Sequence, residues 1–136
     1  MRRTIRLVAA GLIALSVSAA AQGPHLAAFD RLSPGSWMLH EIGSTTAVRS
    51  ICLGDPGQLL QIHHGSTACA HFVVSDGPRT ATTSYTCPRT GHGRTTITVE
   101  GPTLLRIQTQ GLANGAPFDV DYEARRGGSC LKAMRH

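Results

Sequence analysis

The sequence predicts an all-β domain: an antiparallel meander of about seven strands that curls into a barrel or half-barrel, with one short helix between strands two and three. Short runs of β-branched and apolar residues alternate with Gly, Pro, Asn and Asp at a spacing of about 8 to 12 residues, typical of all-β domains. Across residues 119–124 acidic and apolar residues alternate strictly, which indicates a strand with one wet and one buried face. Curling protects the edges that an open sheet leaves unpaired.

The strands are expected where the β-favouring runs lie. Trp37, which follows a Pro-Gly pair, opens the first strand, and we expect it in the core rather than at the mouth of a cavity. Threonine-rich stretches favour strands in the middle of the chain, because β-branched side chains pack well on a pleated surface. Leu105 and Ile107 alternate with polar residues, so that strand also has one buried face. The expected strands cover residues 37–42, 47–53, 70–75, 80–87, 95–100, 104–110 and 118–124.

The short helix is predicted from its end signals. Asp55 is suited to cap its N-terminus, Pro56 to occupy its first position, and Gly65 to follow its end. Its apolar contacts are expected from Leu59, Leu60 and Ile62.

The first 21 residues have the three-part pattern of a secretory signal peptide. Arg2, Arg3 and Arg6 precede an apolar run that ends in small residues, with Ala19-x-Ala21 as the expected cleavage site. The run of 15 residues is shorter than the roughly 20 that cross a bilayer. We therefore expect a periplasmic or secreted protein that is not stably inserted in a membrane after the signal is removed.

The rest of the chain divides into three parts. We expect an irregular lead-in or single helical turn at 22–34, a disulfide-stabilised β-domain at 35–131 and a C-terminal tail at 132–136. The formal charge of +5 falls to +2 without the three arginines of the signal, because 10 basic and 8 acidic residues then remain. A charge this small gives no electrostatic case for nucleic acid as a partner.

The cysteines are Cys52, Cys69, Cys87 and Cys130, and all four follow the signal. An even number in an exported chain predicts two disulfides, whereas gaps of 17, 18 and 43 residues lack the close pairs of a zinc site. Three pairings are possible. Closure of a short connection favours Cys52 with Cys69, which leaves Cys87 with Cys130. These links would supplement a core that has few aromatic residues.

Several short segments occur in a characteristic order. Leu-Ser-Pro-Gly-Ser-Trp opens the first strand, followed by Ile-Cys-Leu, Ala-Cys-Ala, Tyr-Thr-Cys and finally Arg-Arg-Gly-Gly-Ser-Cys. Together, over residues 32–130, they resemble the exported bacterial family called domain of unknown function 3617. The resemblance implies a periplasmic β-rich protein and supplies no catalytic residues. Gly-Asp-Pro-Gly at residues 54–57 departs from the family, which more often has Thr-Pro-Glu there.

The histidines His63, His64 and His71 are weak candidates for a metal site, because they lie near one another in sequence and imidazole is a common metal ligand. A structural reading is favoured. His63 and His64 end the helix, where cationic side chains complement the last carbonyl groups, and His71 lies on a strand.

Asp119, Asp121 and Glu123 form an acidic stripe that offers oxygen ligands of the kind calcium takes. Residues two apart on a strand are separated by about 6.5 to 7 Å, too far to share one ion without help. We expect a solvated strand face, with Arg106 as a natural neighbour across strands.

The function best supported by the sequence is non-enzymatic binding of a small ligand or an envelope partner on the concave face of the sheet. Barrel-like sheets provide such cavities. A metal-dependent enzyme built on the histidine cluster and a purely structural envelope protein are the alternatives. We expect no cofactor, and no motif in the chain marks a catalytic residue.

Overall fold

A computed structural model describes residues 24–45 and 48–130 of the chain. Within these residues, seven strands form one antiparallel sheet in the order β2-β1-β7-β6-β5-β4-β3. The sheet is open, with β2 and β3 at its edges, and the all-β class is confirmed. The strands are β1 (Gly35–Glu41), β2 (Val48–Leu53), β3 (Ala70–Asp76), β4 (Thr80–Cys87), β5 (Gly91–Gly101), β6 (Leu104–Ala113) and β7 (Ala116–Gly128).

The last three strands are longer than the sequence predicted. β5 begins at Gly91 rather than at residue 95, because Gly93 stays in the ladder opposite Gly111 instead of forming a turn. The turn between β6 and β7 consists of Asn114 and Gly115, which both have positive φ, of 50° and 81°. Two such residues are typical of the tight hairpin turn whose twist matches the flanking strands.

Two short 3-10 helices, η1 (Ala27–Arg31) and η2 (Pro56–Gln61), pack against the sheet. The predicted helix is confirmed as η2, in which the Asp55 carboxylate accepts a hydrogen bond of 2.9 Å from the Gly57 amide. Gly65 has a left-handed φ of 63° in the connection that follows, where glycine is favoured.

The lead-in belongs to the core. Leu26 and Ala28 are fully buried and Phe29 nearly so, which makes η1 part of the packed interior rather than an irregular entry. Its placement is fixed by the Ala27 amide, which donates a hydrogen bond of 2.9 Å to the Asp76 carboxylate at the end of β3. The turn expected in this part of the chain is therefore present, and the folded domain begins before the predicted residue 35.

The core lies between the two 3-10 helices and one face of the sheet, which we call the concave face; the opposite face is called the convex face. Trp37 is fully buried, as predicted, and its indole N–H donates to the Ser33 carbonyl at 3.0 Å. The predicted alternation is confirmed in β6 and β7, where Leu105, Ile107 and Ala124 are buried. The rest of the core cluster comes from the two helices with their flanking residues and from four of the strands: Leu26, Ala28, Phe29, Leu39, Leu53, Leu59, Leu60, Ile62, Ala81, Ile97 and Val99.

Both disulfides are present, but the predicted pairing is wrong. Cys52 pairs with Cys130, with their Cα atoms 5.6 Å apart, and Cys69 pairs with Cys87, at 4.2 Å. The sequence argument paired Cys52 with Cys69 and Cys87 with Cys130. The connection through η2 does not return to its starting strand: it carries the chain from β2 at one edge of the sheet to β3 at the other. All four cysteines are crosslinked, as expected.

The sheet register explains the observed pairs. Ser36 of β1 lies opposite Cys52 on one side and Gly128 on the other, so Cys130 emerges from β7 near Cys52. At the other edge, Ala70 lies opposite Thr86, which places Cys69 beside Cys87.

In the described ranges, no helix combines the length and the apolar character needed to span a membrane. The predicted signal peptide at 1–21 and the tail at 132–136 lie outside those ranges, as does residue 47, the predicted start of the second strand.

Candidate functional site

The 3-10 helices do not cover the whole concave face. A groove of about 370 Å³ runs between η2 and β2, at the edge of the sheet. We call it the η2–β2 groove. Its lining residues come from β2, from η2 and from the chain just after it: Arg49, Ile51, Gln58, Ile62, Gly65 and Ser66.

The walls of the groove differ in chemistry. Ile51 is half-buried and Ile62 is almost fully buried, and both pack against the core cluster or belong to it. Arg49 lies opposite Leu39 in the ladder between β1 and β2, so its side chain is on the concave face, and it is exposed. The groove thus joins an apolar wall to a cation at its rim.

A hydrogen-bonded side chain holds the third wall in place. The amide group of Gln61 donates to the Gly65 carbonyl at 2.8 Å and to the Thr67 carbonyl at 2.6 Å. Because Gln61 is buried, these bonds tie the connection after η2 back onto the helix. Gly65 and Ser66 are therefore presented to the groove by a pinned segment.

Next to the groove, one row of the sheet combines two glycines with two aromatic rings. Gly93 lies between Tyr85 and Gly111, and Gly111 in turn lies opposite Phe118. A β-carbon on Gly93 would overlap the hydroxyl and ring of Tyr85. Because Gly93 has no side chain, the Tyr85 ring can lie over the neighbouring strand. Aromatic residues are known to cover glycines in strands in this way.

His64 is bound at both ring nitrogens. Nδ1 lies 2.9 Å from the Tyr85 hydroxyl and Nε2 lies 3.1 Å from the Leu112 carbonyl oxygen. A carbonyl oxygen can only accept, so Nε2–H is the donor to Leu112, and in the neutral ring Nδ1 accepts from Tyr85. Burial raises the pKa of the Tyr85 phenol, an effect that a hydrogen bond from Thr109 opposes. The phenol therefore keeps the proton that it donates to His64.

His63 stacks on Phe118, with ring centroids 4.0 Å apart and planes inclined by 10°. Burial lowers the pKa of His63, and the nearby His64 and Arg49 lower it further against an opposing effect of Glu41. The ring is consequently a neutral, planar surface beside the groove at neutral pH. Burial raises the pKa of the Tyr122 phenol. Arg49 lowers this pKa and Glu41 raises it, so Tyr122 is near the same pair of charges.

His71 lies on the other side of Tyr85, with ring centroids 6.2 Å apart. Burial lowers its pKa, and a hydrogen bond to the Cys69 backbone acts in the opposite direction. Its Nε2 atom is buried and has no hydrogen-bond partner among the described residues. A neutral ring is the form that leaves this atom without an unpaired charge.

The structure brings the three candidate histidines to one end of the concave face, but around aromatic rings. His63 contacts Phe118, while His64 and His71 flank Tyr85. No group of three His, Cys, Asp or Glu side chains in the described part of the chain is arranged to hold a metal ion. The cluster is therefore an aromatic and imidazole packing unit next to the groove.

The acidic stripe, which the sequence predicted to be a solvated strand face, lies on the face of the sheet opposite the core. Asp119 and Asp121 are exposed, and Glu123 forms an ion pair of 2.8 Å with Arg125. Arg106 lies opposite Glu123 in the ladder but pairs with Glu100 instead, at 3.0 Å. Around the two aspartates is an open polar depression of about 380 Å³, which is also lined by Arg94, Thr96, Gln108, Thr109 and Gln110.

The chain matches no family model, no curated protein and no solved structure to which it was compared. The site therefore has to be interpreted from its own chemistry. Sequence reasoning missed the groove residues Arg49, Ile51 and Ser66, because they come from segments that only the sheet register brings together. The pair of Gly93 and Gly111 could have been noticed in the sequence, since a glycine inside a strand often marks a place where another group approaches the backbone closely.

Proposed function

We propose that this protein is an exported binding domain that holds a small, largely apolar molecule in the η2–β2 groove. The observation that carries the proposal is the groove itself, which has apolar lining from Ile51 and Ile62. His63, the residue after Ile62, stacks on Phe118. Its volume of about 370 Å³ lies at the lower end of the range of about 300 to 1,000 Å³ for small-molecule sites.

The sequence analysis expected a binding site somewhere on the concave face, and this proposal assigns it to the η2–β2 groove at one end of that face. The middle of the face is filled by Leu59, Leu60 and Phe29. Space remains on both sides of η2, and we place the ligand on the side next to β2 because Ile51 and Ile62 line that space, whereas no large aliphatic side chain lines the space toward Cys69 and His71. A binding role suits a rigid groove, because little conformational entropy is lost when the ligand enters.

Export to the periplasm or beyond is part of the proposal. The signal-like pattern at 1–21 and two disulfides support it, since disulfides persist in oxidising compartments. The resemblance to the domain of unknown function 3617 family is in line with the same location.

A metal-dependent enzyme is the less favoured alternative. It rests on the three histidines, and both ring nitrogens of His64 are already engaged by Tyr85 and Leu112. The observed contacts favour binding by the groove over chemistry at the cluster.

The test uses a neutral apolar fluorophore, N-phenyl-1-naphthylamine, and the protein purified from the periplasm of an expression host. We expect saturable fluorescence enhancement. Ser66→Phe, which puts a ring into the groove, should weaken binding about tenfold or more, the effect of losing roughly 1.4 kcal/mol. Thr103→Phe is the matched control, because Thr103 is exposed in the turn between β5 and β6, and it should bind as the natural protein does.

Circular dichroism of each variant establishes that the fold is intact. Absence of saturable binding to the natural protein contradicts the proposal, and so does equal binding by both phenylalanine variants.

A further inference from the structure

We propose that the molecule held in the η2–β2 groove is an amphipathic anion: an apolar body that carries one carboxylate or sulfonate group bound by Arg49. This inference rests on the proposed function and names the class of ligand for the same groove.

The position of Arg49 is the first observation. It belongs to the edge strand β2, it faces the concave side opposite Leu39, and it lines the groove together with Ile51. Among the described residues that line the groove, Arg49 is the one that carries a charge. A guanidinium group binds a carboxylate or sulfonate through two parallel hydrogen bonds, which a small polar ligand head can satisfy.

The second observation is that the guanidinium group makes no ion pair or hydrogen bond with residues 24–45 or 48–130. On the convex face Arg106 is paired with Glu100 and Arg125 with Glu123, whereas Arg94 is unpaired among the described residues but lines a polar depression with no apolar wall. Glu41, two residues along β1 from Leu39, raises the pKa of His63 whereas Arg49 lowers it, but Glu41 neither lines the groove nor lies within ion-pair distance of Arg49.

The remaining titratable groups leave the groove with a positive charge. His63 stacks on Phe118 and is uncharged near neutral pH, and the Tyr122 phenol holds its proton there because burial raises its pKa. Asp55 caps η2 by accepting from Gly57 and does not line the groove. The charge offered to a ligand is thus the cation of Arg49.

The apolar wall supplies the rest of the ligand class. Ile51 and Ile62 would contact an apolar body, and Gln58 and Ser66 offer hydrogen-bonding groups in the same groove. A purely polar ion would leave the isoleucines without a partner, and a purely apolar molecule would leave Arg49 without one. An amphipathic anion can contact the isoleucines with its apolar body and bind Arg49 with its charged group.

The experiment compares two probes that differ by one charged group: N-phenyl-1-naphthylamine and its sulfonate, 1-anilinonaphthalene-8-sulfonate. At low salt the sulfonate should bind the natural protein about fivefold more tightly or better, as expected for a charge-assisted contact at a partly exposed site. Added salt should reduce this preference. Arg49→Gln removes the charge-assisted contact with the sulfonate. The affinities of this variant for the two probes should therefore be within about twofold of each other.

Arg94→Gln is the matched control, because Arg94 is an exposed arginine of the convex face, and this variant should keep the preference for the sulfonate. Equal binding of the two probes by the natural protein overturns the inference while the proposed function stands. A preference that survives Arg49→Gln also overturns it. Failure of both probes to bind overturns the proposed function and, with it, the ligand class.

Discussion

The Tyr85 hydroxyl lies 2.9 Å from Nδ1 of His64, and this contact joins the sheet to the segment that follows η2. Tyr85 reaches His64 because Gly93, its partner in the next strand, has no side chain to displace the ring. On its other nitrogen His64 is held by the Leu112 carbonyl, so the chain next to the η2–β2 groove is fixed at two points. The contact that holds this segment thus depends on a glycine near the start of β5.

Gly93→Ala is expected to destabilise the protein by about 1 to 3 kcal/mol, because its β-carbon would overlap the Tyr85 ring in a packed interior. The free energy of unfolding from urea titration measures the loss. Gly127→Ala is the control, since a β-carbon there meets only ordinary contacts at 3.8 Å.

The same clash predicts coupling between the two sites. The double variant Tyr85→Ala with Gly93→Ala should lose less stability than the sum of the single variants, by more than about 0.5 kcal/mol. Strict additivity would show that the ring does not lie over Gly93.

The disulfides should contribute unequally. Cys52 and Cys130 are 78 residues apart and Cys69 and Cys87 are 18 apart. By loop-closure entropy, replacing the first pair with alanine should cost about 4.5 kcal/mol and replacing the second about 3 kcal/mol. Guanidinium chloride titration of the two double variants measures this difference, and a larger loss for the Cys69–Cys87 pair would contradict it. A non-reducing peptide map should recover the two pairs directly.

Two phenylalanines test whether the lead-in belongs to the core. Phe29 in η1 is 7% exposed, whereas Phe72 in the edge strand β3 is 71% exposed. Phe29→Ala should lower the free energy of unfolding by about 3 to 5 kcal/mol, and Phe72→Ala should change it by no more than about 0.5 kcal/mol. Similar effects of the two identical substitutions would place residues 24–34 outside the folded unit.

Stability should fall as the pH is lowered below 6.5. Burial holds the pKa of His71 below its usual 6.5, so above pH 6.5 the ring is neutral in both the folded and the unfolded chain. Below that pH the unfolded chain takes up a proton that the folded chain does not, and the free energy of unfolding decreases. The pKa of His63 is lowered as well and adds in the same direction.

His71→Asn removes the titrating group and keeps a short amide donor for the Cys69 carbonyl. Thermal unfolding of this variant between pH 7.5 and pH 5 should therefore show a smaller loss of stability than the natural protein shows. His40→Asn is the control, since His40 is exposed on the convex face. An unchanged pH dependence in His71→Asn would contradict a buried neutral imidazole.

The elements of the fold were predictable from local patterns, whereas the site was not. Strand β4 has the predicted ends, and η2 begins at the predicted Asp55 cap, because alternation and end signals are properties of neighbouring residues. The disulfide pairs and the groove depend on the register and order of strands far apart in sequence. Arg49 and Ser66 meet across the groove only because the chain crosses the concave face between β2 and β3.

The histidines illustrate the same limit. Their closeness in sequence predicted their closeness in space. The aromatic rings that they contact, Phe118 and Tyr85, belong to strands that are distant in sequence. Short-range spacing therefore identified the region and favoured a structural role for the histidines, but it could not identify their aromatic partners.

The central claim is that the protein binds at the uncovered end of its concave face. The most direct measurement is the change in backbone amide signals, in a two-dimensional ¹⁵N NMR spectrum, on titration with N-phenyl-1-naphthylamine. We expect the largest shifts at Ile51, Gln58 and Ile62, with Gln108 and Gln110 of the convex face unmoved. Shifts confined to the convex face, or no shifts at a saturating concentration of the probe, would contradict the account.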